Sequence, residues 1–354
     1  MHWSMVWVKK IAALLLLVAG LTGCQKDASK EQGPEQQVLT VLFAPGSGFS
    51  GAGYDDTILS AVMESAAASR QFTFHLNRPQ TAAQAATLAQ QWQAAAGEKD
   101  ALLLCGYHFE ELARTLTPGK GRVLLLDSNQ TLENGIATLQ LKRYGGAYLA
   151  GALSYPFNML LIKALNGDRM LDAVASGIED GYLAAGGAEC VQLVLSDTYA
   201  GMNMPDQLFG ALYEGFATRQ FGEKEAFSPE NTCLAPVCGA SRAGAYSFSR
   251  NMFTVALGIG EDCSHYSEML PYSLIYDLGS IVKDYIGLWL KGERWPAHAD
   301  FGLATGHVRI RYNEHFFEEK TGMVYNYKLL LDDYKKLEAQ YSEIALEKEV
   351  AHAY

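Results

Sequence analysis

Basic residues are scarce in this chain, cysteines are scarcer, and no apolar run is long enough to cross a bilayer as a helix. Lys and Arg total 28 against 39 Asp and Glu, for a net charge of −11. No basic run offsets that balance, so the electrostatic footprint of a nucleic-acid binder is missing. Six cysteines in 354 residues are too few for a disulfide scaffold. One of them, Cys24, has a separate reading given below. Cys105, Cys190, Cys233, Cys238 and Cys263 remain, and an odd number leaves at least one unpaired within the chain. Pairing of Cys233 with Cys238 or with Cys190 stays open, because spacing does not decide it. Cys233-x₄-Cys238 lacks the second pair, or the spaced histidine pair, that a zinc site needs. The eight histidines are scattered, so neither a metal nor a cofactor is expected.

Catalytic signatures are lacking as well. Asp262-Cys263-Ser264-His265 sets three catalytic residue types side by side, but the members of a triad are brought together by the fold rather than by adjacency. A loop after a strand accounts for them. Gly46-Ser47-Gly48-Phe49-Ser50-Gly51 fits the spacing of a dinucleotide-binding loop after a strand. That chemistry needs an acidic residue at the end of the second strand to hold a ribose, and the chain reads His75-Leu76-Asn77-Arg78 there. The segment is better read as a βα loop lining a cleft. No enzyme is expected.

What is present starts at the N-terminus. Lys9 and Lys10 precede the apolar run Ile11 to Leu21, which falls short of the ~20 residues needed to span a ~30 Å hydrocarbon core. It ends in Leu21-Thr22-Gly23-Cys24, small residues before a cysteine, which is the pattern of a lipobox. Residues 1–23 are therefore expected to be a cleaved signal, and Cys24 the acylated first residue of an exported lipoprotein. Its acyl chains would hold it to a membrane of the cell envelope, on the periplasmic or the surface face. Residues 24–37 are polar with no apolar face and should form a disordered tether.

The hydrophobic fraction of 49% is ordinary for a globular chain with a core. From Val38 onward, short continuous apolar runs alternate with helical periodicity. Val38–Phe43, Phe72–Leu76, Ala101–Leu104 and Val123–Asp127 read as buried strands, with helices over Thr57–Ser69 and Thr81–Ala95. A second series follows: a helix over Gly146–Leu153, strands at Val191–Leu195, Cys233–Val237 and Val255–Ile259, and a helix over Asp277–Leu290. Continuous apolar strands with helices between them predict parallel sheets covered on both faces. Two such units predict two doubly wound lobes, with a ligand cleft at the carboxyl ends of the strands. Tyr54, Asp55, Tyr107, Asp127, Tyr199 and Asn203 fall just after strands, where rings can stack on a small planar or polyhydroxylated ligand and carboxylates can accept its protons. Ser241 in its turn and Asp262 in its loop join the candidate set.

Several stretches resemble one known family. Gly145-Gly146-Ala147-Tyr148-Leu149-Ala150-Gly151-Ala152-Leu153 is similar to the E-G-A-Y-L-A-G-A-L stretch of the basic membrane protein family, the nucleoside-type substrate-binding lipoproteins of ABC transporters. Leu126-Asp127, Gly177-Ile178-Glu179-Asp180-Gly181-Tyr182 and Leu257-Gly258-Ile259 with Asp262 and Ser264 resemble further family segments, in order. So do Ser273 with the helix to Leu290, then Gly302-Leu303 and Val308. The resemblance covers Val38 to Ile310 and implies a type I periplasmic-binding-protein fold, two doubly wound α/β lobes with three hinge crossovers, closing on a ligand. It places lobe one at 38–135 and 270–298, lobe two at 136–269 and 299–313, and a C-terminal helical extension at 314–354. It further implies a nucleoside-like ligand handed to an ABC permease. The departures fall on the ligand clamp. Tyr54 keeps the stacking aromatic, Asp55 replaces an Asn, and Gly51 replaces an Asp. The ribose-holding Asp falls at Gly260, a Lys falls at Tyr276, and the second-lobe aromatic falls at Met202. The competing expectation is an envelope interaction protein, or surface lipoprotein, that keeps the fold without a ligand.

Overall fold

The computed structural model describes residues 37–45, 53–188, 190–221, 224–225, 227–318 and 330–352. The lipobox with Cys24, the tether up to residue 36 and the glycine-rich segment 46–52 lie outside the described residues.

The first sheet takes six parallel strands, β1 (Gln37–Phe43), β2 (Phe72–Asn77), β3 (Ala101–Cys105), β4 (Arg122–Leu126), β5 (Ala137–Leu141) and β14 (His298–Phe301), in the order β14-β5-β4-β3-β1-β2. Its central strand β3, Ala-Leu-Leu-Leu-Cys, is buried at every position, whereas the edge strand β2 is exposed in part. That contrast is what a sheet covered on both faces requires. Helices α1 (Tyr54–Ser69) and α8 (Leu278–Leu290) cover one face, with Ile58, Val62, Ile281 and Trp289 buried among the strands. Helices α2 (Ala82–Ala95) and α3 (Glu110–Thr115) cover the other through Ala85, Ala89 and Ala113.

The second sheet has four parallel strands, β6 (Asn158–Lys163), β7 (Val191–Val194), β10 (Thr232–Val237) and β11 (Val255–Ala256), in the order β11-β10-β6-β7. Between β7 and β10 lie the short paired strands β8 (Gln220–Phe221) and β9 (Lys224–Glu225). Helices α4 (Tyr144–Leu153) and α5 (Arg169–Ala184) pack on one face of the second sheet. Helices α6 (Pro205–Thr218) and α7 (Arg242–Met252) pack on the other. Helix α4 is buried along its whole length, and its small residues let α5 approach closely. A methyl group at Gly151 would lie 1.9 Å from the Ile178 carbonyl oxygen, and one at Gly181 would lie 1.8 Å from that of Tyr148. The glycine spacing of the Gly145–Leu153 stretch is therefore a backbone-contact requirement.

A third, three-stranded sheet joins the lobes, β12 (Gly258–Gly260) parallel to β13 (Tyr272–Tyr276) and β13 antiparallel to β15 (Val308–Tyr312). The Tyr272 hydroxyl donates to the Ala150 carbonyl at 2.6 Å, tying β13 to α4. Two boundaries differ from expectation. Strand β5 pairs with β4 in the first sheet, so the first crossover follows Leu141 rather than residue 135, and β14 carries the first sheet on to Phe301. The reason is that the fully buried β5 is needed to receive β14, and its buried Thr138 and Gln140 disguise it in the sequence. The C-terminal helix α9 (Leu330–Ala351) lies on α4, with His352 stacked 3.7 Å over Tyr144 and the Tyr341 hydroxyl donating to Ala184 at 2.9 Å. The five cysteines from Cys105 to Cys263 are all buried free thiols, so neither disulfide alternative forms. Among the described residues no helix is long and apolar enough to cross a membrane, and no cluster of three or more His, Cys, Asp or Glu is placed to hold a metal ion.

Candidate functional site

In an open parallel sheet the crevice opens where strand order reverses, outside the carboxyl ends of the strands. Both large sheets reverse, between β1 and β3 in the first and between β6 and β10 in the second. The two crevices face one cleft of about 210 Å³. Its walls are the strand ends themselves: Ala44 after β1, Cys105 closing β3, Leu141 closing β5, Val237 closing β10, Gly260 closing β12 and Tyr276 closing β13.

Of the residues expected from sequence, Tyr54, Asp55, Tyr199, Met202 and Tyr276 line this cleft. Tyr54 and Asp55 open α1 behind the N-cap Gly53, whose amide donates to Asp56 at 3.1 Å. Acidic residues in a first turn are favoured by the helix dipole. Burial pushes the Tyr54 phenol far above its ordinary range, and the Asp127 carboxylate adds to the shift. Tyr54 therefore stays a neutral ring. Tyr199 and Met202 come from a short 3₁₀ turn, Tyr199–Asn203, after β7.

Asp127, Tyr107, Asn203, Ser241 and Asp262 are placed elsewhere. Asp127 is 2% exposed and stands behind the wall, where Arg143 grips it at 2.6 and 3.1 Å. Arg143 is itself 5% exposed and also donates to the Leu141 carbonyl at 2.9 Å. Its guanidinium lies 6.0 Å from the centre of the Tyr54 ring and 5.7 Å from that of Tyr276, within reach of both π faces. The pair thus sets the aromatic wall. Ser241 is fully buried, its hydroxyl donating to Gly201 at 2.7 Å and accepting from the Met204 amide at 2.6 Å, so it pins two turns together. Asn203 is exposed. Asp262 pairs with Arg311 at 3.0 Å and accepts from the Ser264 amide, away from the cleft wall.

Tyr107 belongs to a cluster that crosses from one lobe to the other. Its centre is Asp168, which caps α5 by accepting from the Met170 and Leu171 amides, both at 3.0 Å. The same carboxylate accepts from the Tyr107 hydroxyl at 3.2 Å and from the Tyr199 hydroxyl at 2.8 Å. With the Tyr199 proton engaged there, its oxygen is left to accept from His108 Nε2 at 2.8 Å, which assigns the Nε2–H tautomer. Burial holds the His108 imidazole below its ordinary range. Arg169 completes the contact, paired with Glu110 at 2.7 Å and lying 4.3 Å over the Tyr107 ring. Tyr107, His108 and Glu110 follow β3 in the first lobe, whereas Asp168, Arg169 and Tyr199 belong to the second. Carboxylate–hydroxyl and guanidinium–carboxylate bonds are among the stronger polar contacts a protein makes, and here they latch the lobes together.

Arg242, after β10, is a further wall residue that sequence reading missed. It donates to the Ile259 carbonyl at 2.8 Å and to Glu261 at 2.5 Å. Gly260, with φ +101°, leaves it room, since a methyl group there would lie 2.8 Å from the guanidinium. Arginine thus fills the space beside the position where the resembling family carries its ribose-holding Asp. Asp168 could have been found from sequence, since an Asp before the apolar periodicity Val174, Ile178, Tyr182 is an N-cap signal. Arg143 and Arg242 had no local signal.

No family model matches this chain, and no curated protein matches it. Among solved structures it is similar to a solute-binding protein of an ABC transporter system from Aeropyrum pernix K1, with a TM-score of 0.63 and 13% identity over 89% of this chain and 92% of that one. It is also similar to a transcriptional activator of the comK gene from Bacillus halodurans, with a TM-score of 0.57 and 11% identity over 87% and 97% of the two chains. A third similar structure is an ABC transporter solute-binding protein from Bacillus halodurans C-125 with bound myo-inositol, with a TM-score of 0.55 and 11% identity over 79% and 96%. At these identities the shared property is the architecture, and the fold is that of the type I periplasmic binding proteins.

Proposed function

We propose that this chain is the solute-binding component of an uptake system, capturing a small ligand between its lobes and handing it to an ABC permease. The observation that carries this reading is a cleft built from the strand ends of both sheets at both reversal points. A cleft so placed is completed only when the lobes meet, which couples ligand capture to closure. Solute-binding proteins of the same fold, one of them with myo-inositol, support the class. Tyr54 and Tyr276 would face a ligand ring, Tyr199 and Met202 would close over it, and Asp55 would accept a proton from its edge. Of the nucleoside-like ligands implied by the sequence resemblance, this wall suits the base better than the sugar. Anchoring through Cys24 rests on the lipobox, and replacing Cys24 by Ala should release the chain from the membrane fraction.

The test is a thermal-shift screen of the full chain against sugars, polyols, nucleosides, bases and amino acids. A ligand should raise the melting temperature, and Tyr54→Ala should remove the shift while Arg311→Gln leaves it. A chain that responds to nothing in the screen sinks the reading and favours an envelope interaction protein. The internal pairing of most polar groups on the cleft wall is the one feature that already leans that way.

A further inference from the structure

The hydrogen-bonding groups on the cleft wall are mostly engaged by other parts of the chain. Asp168 accepts four bonds from within the protein. Tyr199 gives its proton to Asp168 and takes one from His108. Arg143 is held by Asp127 and Leu141, and Arg242 by Ile259 and Glu261. The Thr57 hydroxyl donates to the Gly53 carbonyl at 3.0 Å. A polyol entering this cleft would have to break such contacts or bury its hydroxyls unmatched. Each unmatched hydroxyl costs roughly a tenfold or greater loss of affinity.

The rest of the wall is polarisable and apolar. Four sulfur-bearing side chains, Cys105, Met170, Met202 and Cys238, line it. Burial pushes both thiols above their ordinary range, so they remain neutral S–H groups rather than metal-binding thiolates. Leu141, Val174, Ile259 and Leu278 add aliphatic surface, and Tyr54 and Tyr276 add ring faces. Sulfur against an aromatic face is a favourable contact that needs no hydrogen bond. Size points the same way. An apolar cavity of ~150 Å³ takes up one benzene, so about 210 Å³ accommodates one or two rings.

We infer that the ligand is a flat, hydroxyl-poor compound of one or two rings, recognised by surface contact rather than by many hydrogen bonds. This rests on the solute-binding reading and narrows it to a class. Isothermal titration of the full chain distinguishes the two. One panel holds indole, adenine and pyridine-3-carboxamide; the other holds myo-inositol, D-galactose and adenosine. At least one flat ring is expected to bind, with the polyols weaker by at least about a hundredfold. Met202→Ala should weaken ring binding about tenfold, and Met202→Leu, which keeps the volume, by less. Binding of a polyol in preference to every ring overturns the ligand class and leaves the solute-binding reading standing. Adenosine binding more tightly than adenine overturns the preference for hydroxyl-poor ligands. No response from either panel overturns the ligand class together with the reading it rests on.

Discussion

Asp127 and Asp168 are both buried carboxylates at the edge of one cleft, and they do different work. Asp127, at the end of β4, meets Arg143 just past the end of the neighbouring β5, where the chain crosses to the second lobe, and the pair stiffens one wall. Asp168 meets one hydroxyl partner, Tyr107, across the gap in the first lobe and another, Tyr199, in its own. The Asp127 pair stiffens one wall of the cleft, whereas the Asp168 cluster joins its two sides. Similar residue chemistry thus yields a scaffold or a latch, depending on whether the partners sit on neighbouring strand ends or one of them reaches across the gap.

Breaking the scaffold should have the largest effect. Arg143→Met leaves the Asp127 charge buried and unpaired, a loss of about 3–5 kcal/mol in chemical unfolding. Adding Asp127→Asn to that variant should recover much of it, because no lone charge remains. Little recovery would show that Arg143 matters for packing rather than for pairing.

Breaking the latch should cost less stability and change shape more. Asp168→Ala removes a helix cap and two charge-assisted hydroxyl bonds, for about 2 kcal/mol together. Its distinctive sign is a larger radius of gyration in solution scattering as the lobes part. An unchanged radius with lowered stability would mean that Asp168 only caps α5.

The latch should also respond to pH. Burial lowers the His108 pKa, so the folded chain favours neutral imidazole. A lowered folded value means that the unfolded chain binds more protons in this window, so stability rises with pH. The contribution is complete above about pH 6.5, the ordinary imidazole value, and is lost as pH falls through the lowered one. His108→Gln should flatten the melting-temperature profile between about pH 7.5 and about pH 5. A slope that persists in the variant would assign it to other groups.

The smallest effect is expected at Asp262, whose partner Arg311 is largely exposed. Asp262→Asn should change stability by no more than ~0.5 kcal/mol and leave ligand affinity untouched. A clear loss of affinity would return Asp262 to the cleft.

The fold was legible because it rests on local signals. Continuous apolar runs such as Ala101–Leu104 and Cys233–Val237 read as strands buried on both faces, and Gly146–Leu153 reads as a helix; the structure has β3, β10 and α4 there. Strands with mixed composition escaped notice, β5 because Thr138 and Gln140 are buried within it and β14 because it is short and half-exposed. The apolar run at β6 went unseen between turns, although all but its first residue is buried. Of the site, Tyr54, Asp55 and Tyr199 could be placed from their positions after strands. Asp127 sits in the same kind of position and faces inward instead, because Arg143 draws it away from the cleft.

The sequence by itself determined the alternation of buried strands and covering helices, and with it two doubly wound lobes and a cleft at their strand ends. Periodicity and burial act between near neighbours, so they are written in the order of residues. Only the tertiary structure decided which polar groups around the cleft are tied up in pairs. Asp127 meets Arg143 16 residues away, and Asp168 meets Tyr107 61 residues away in the other lobe. Those pairings depend on the geometry of closure, since a hydrogen bond forms only where two groups are brought within about 3 Å.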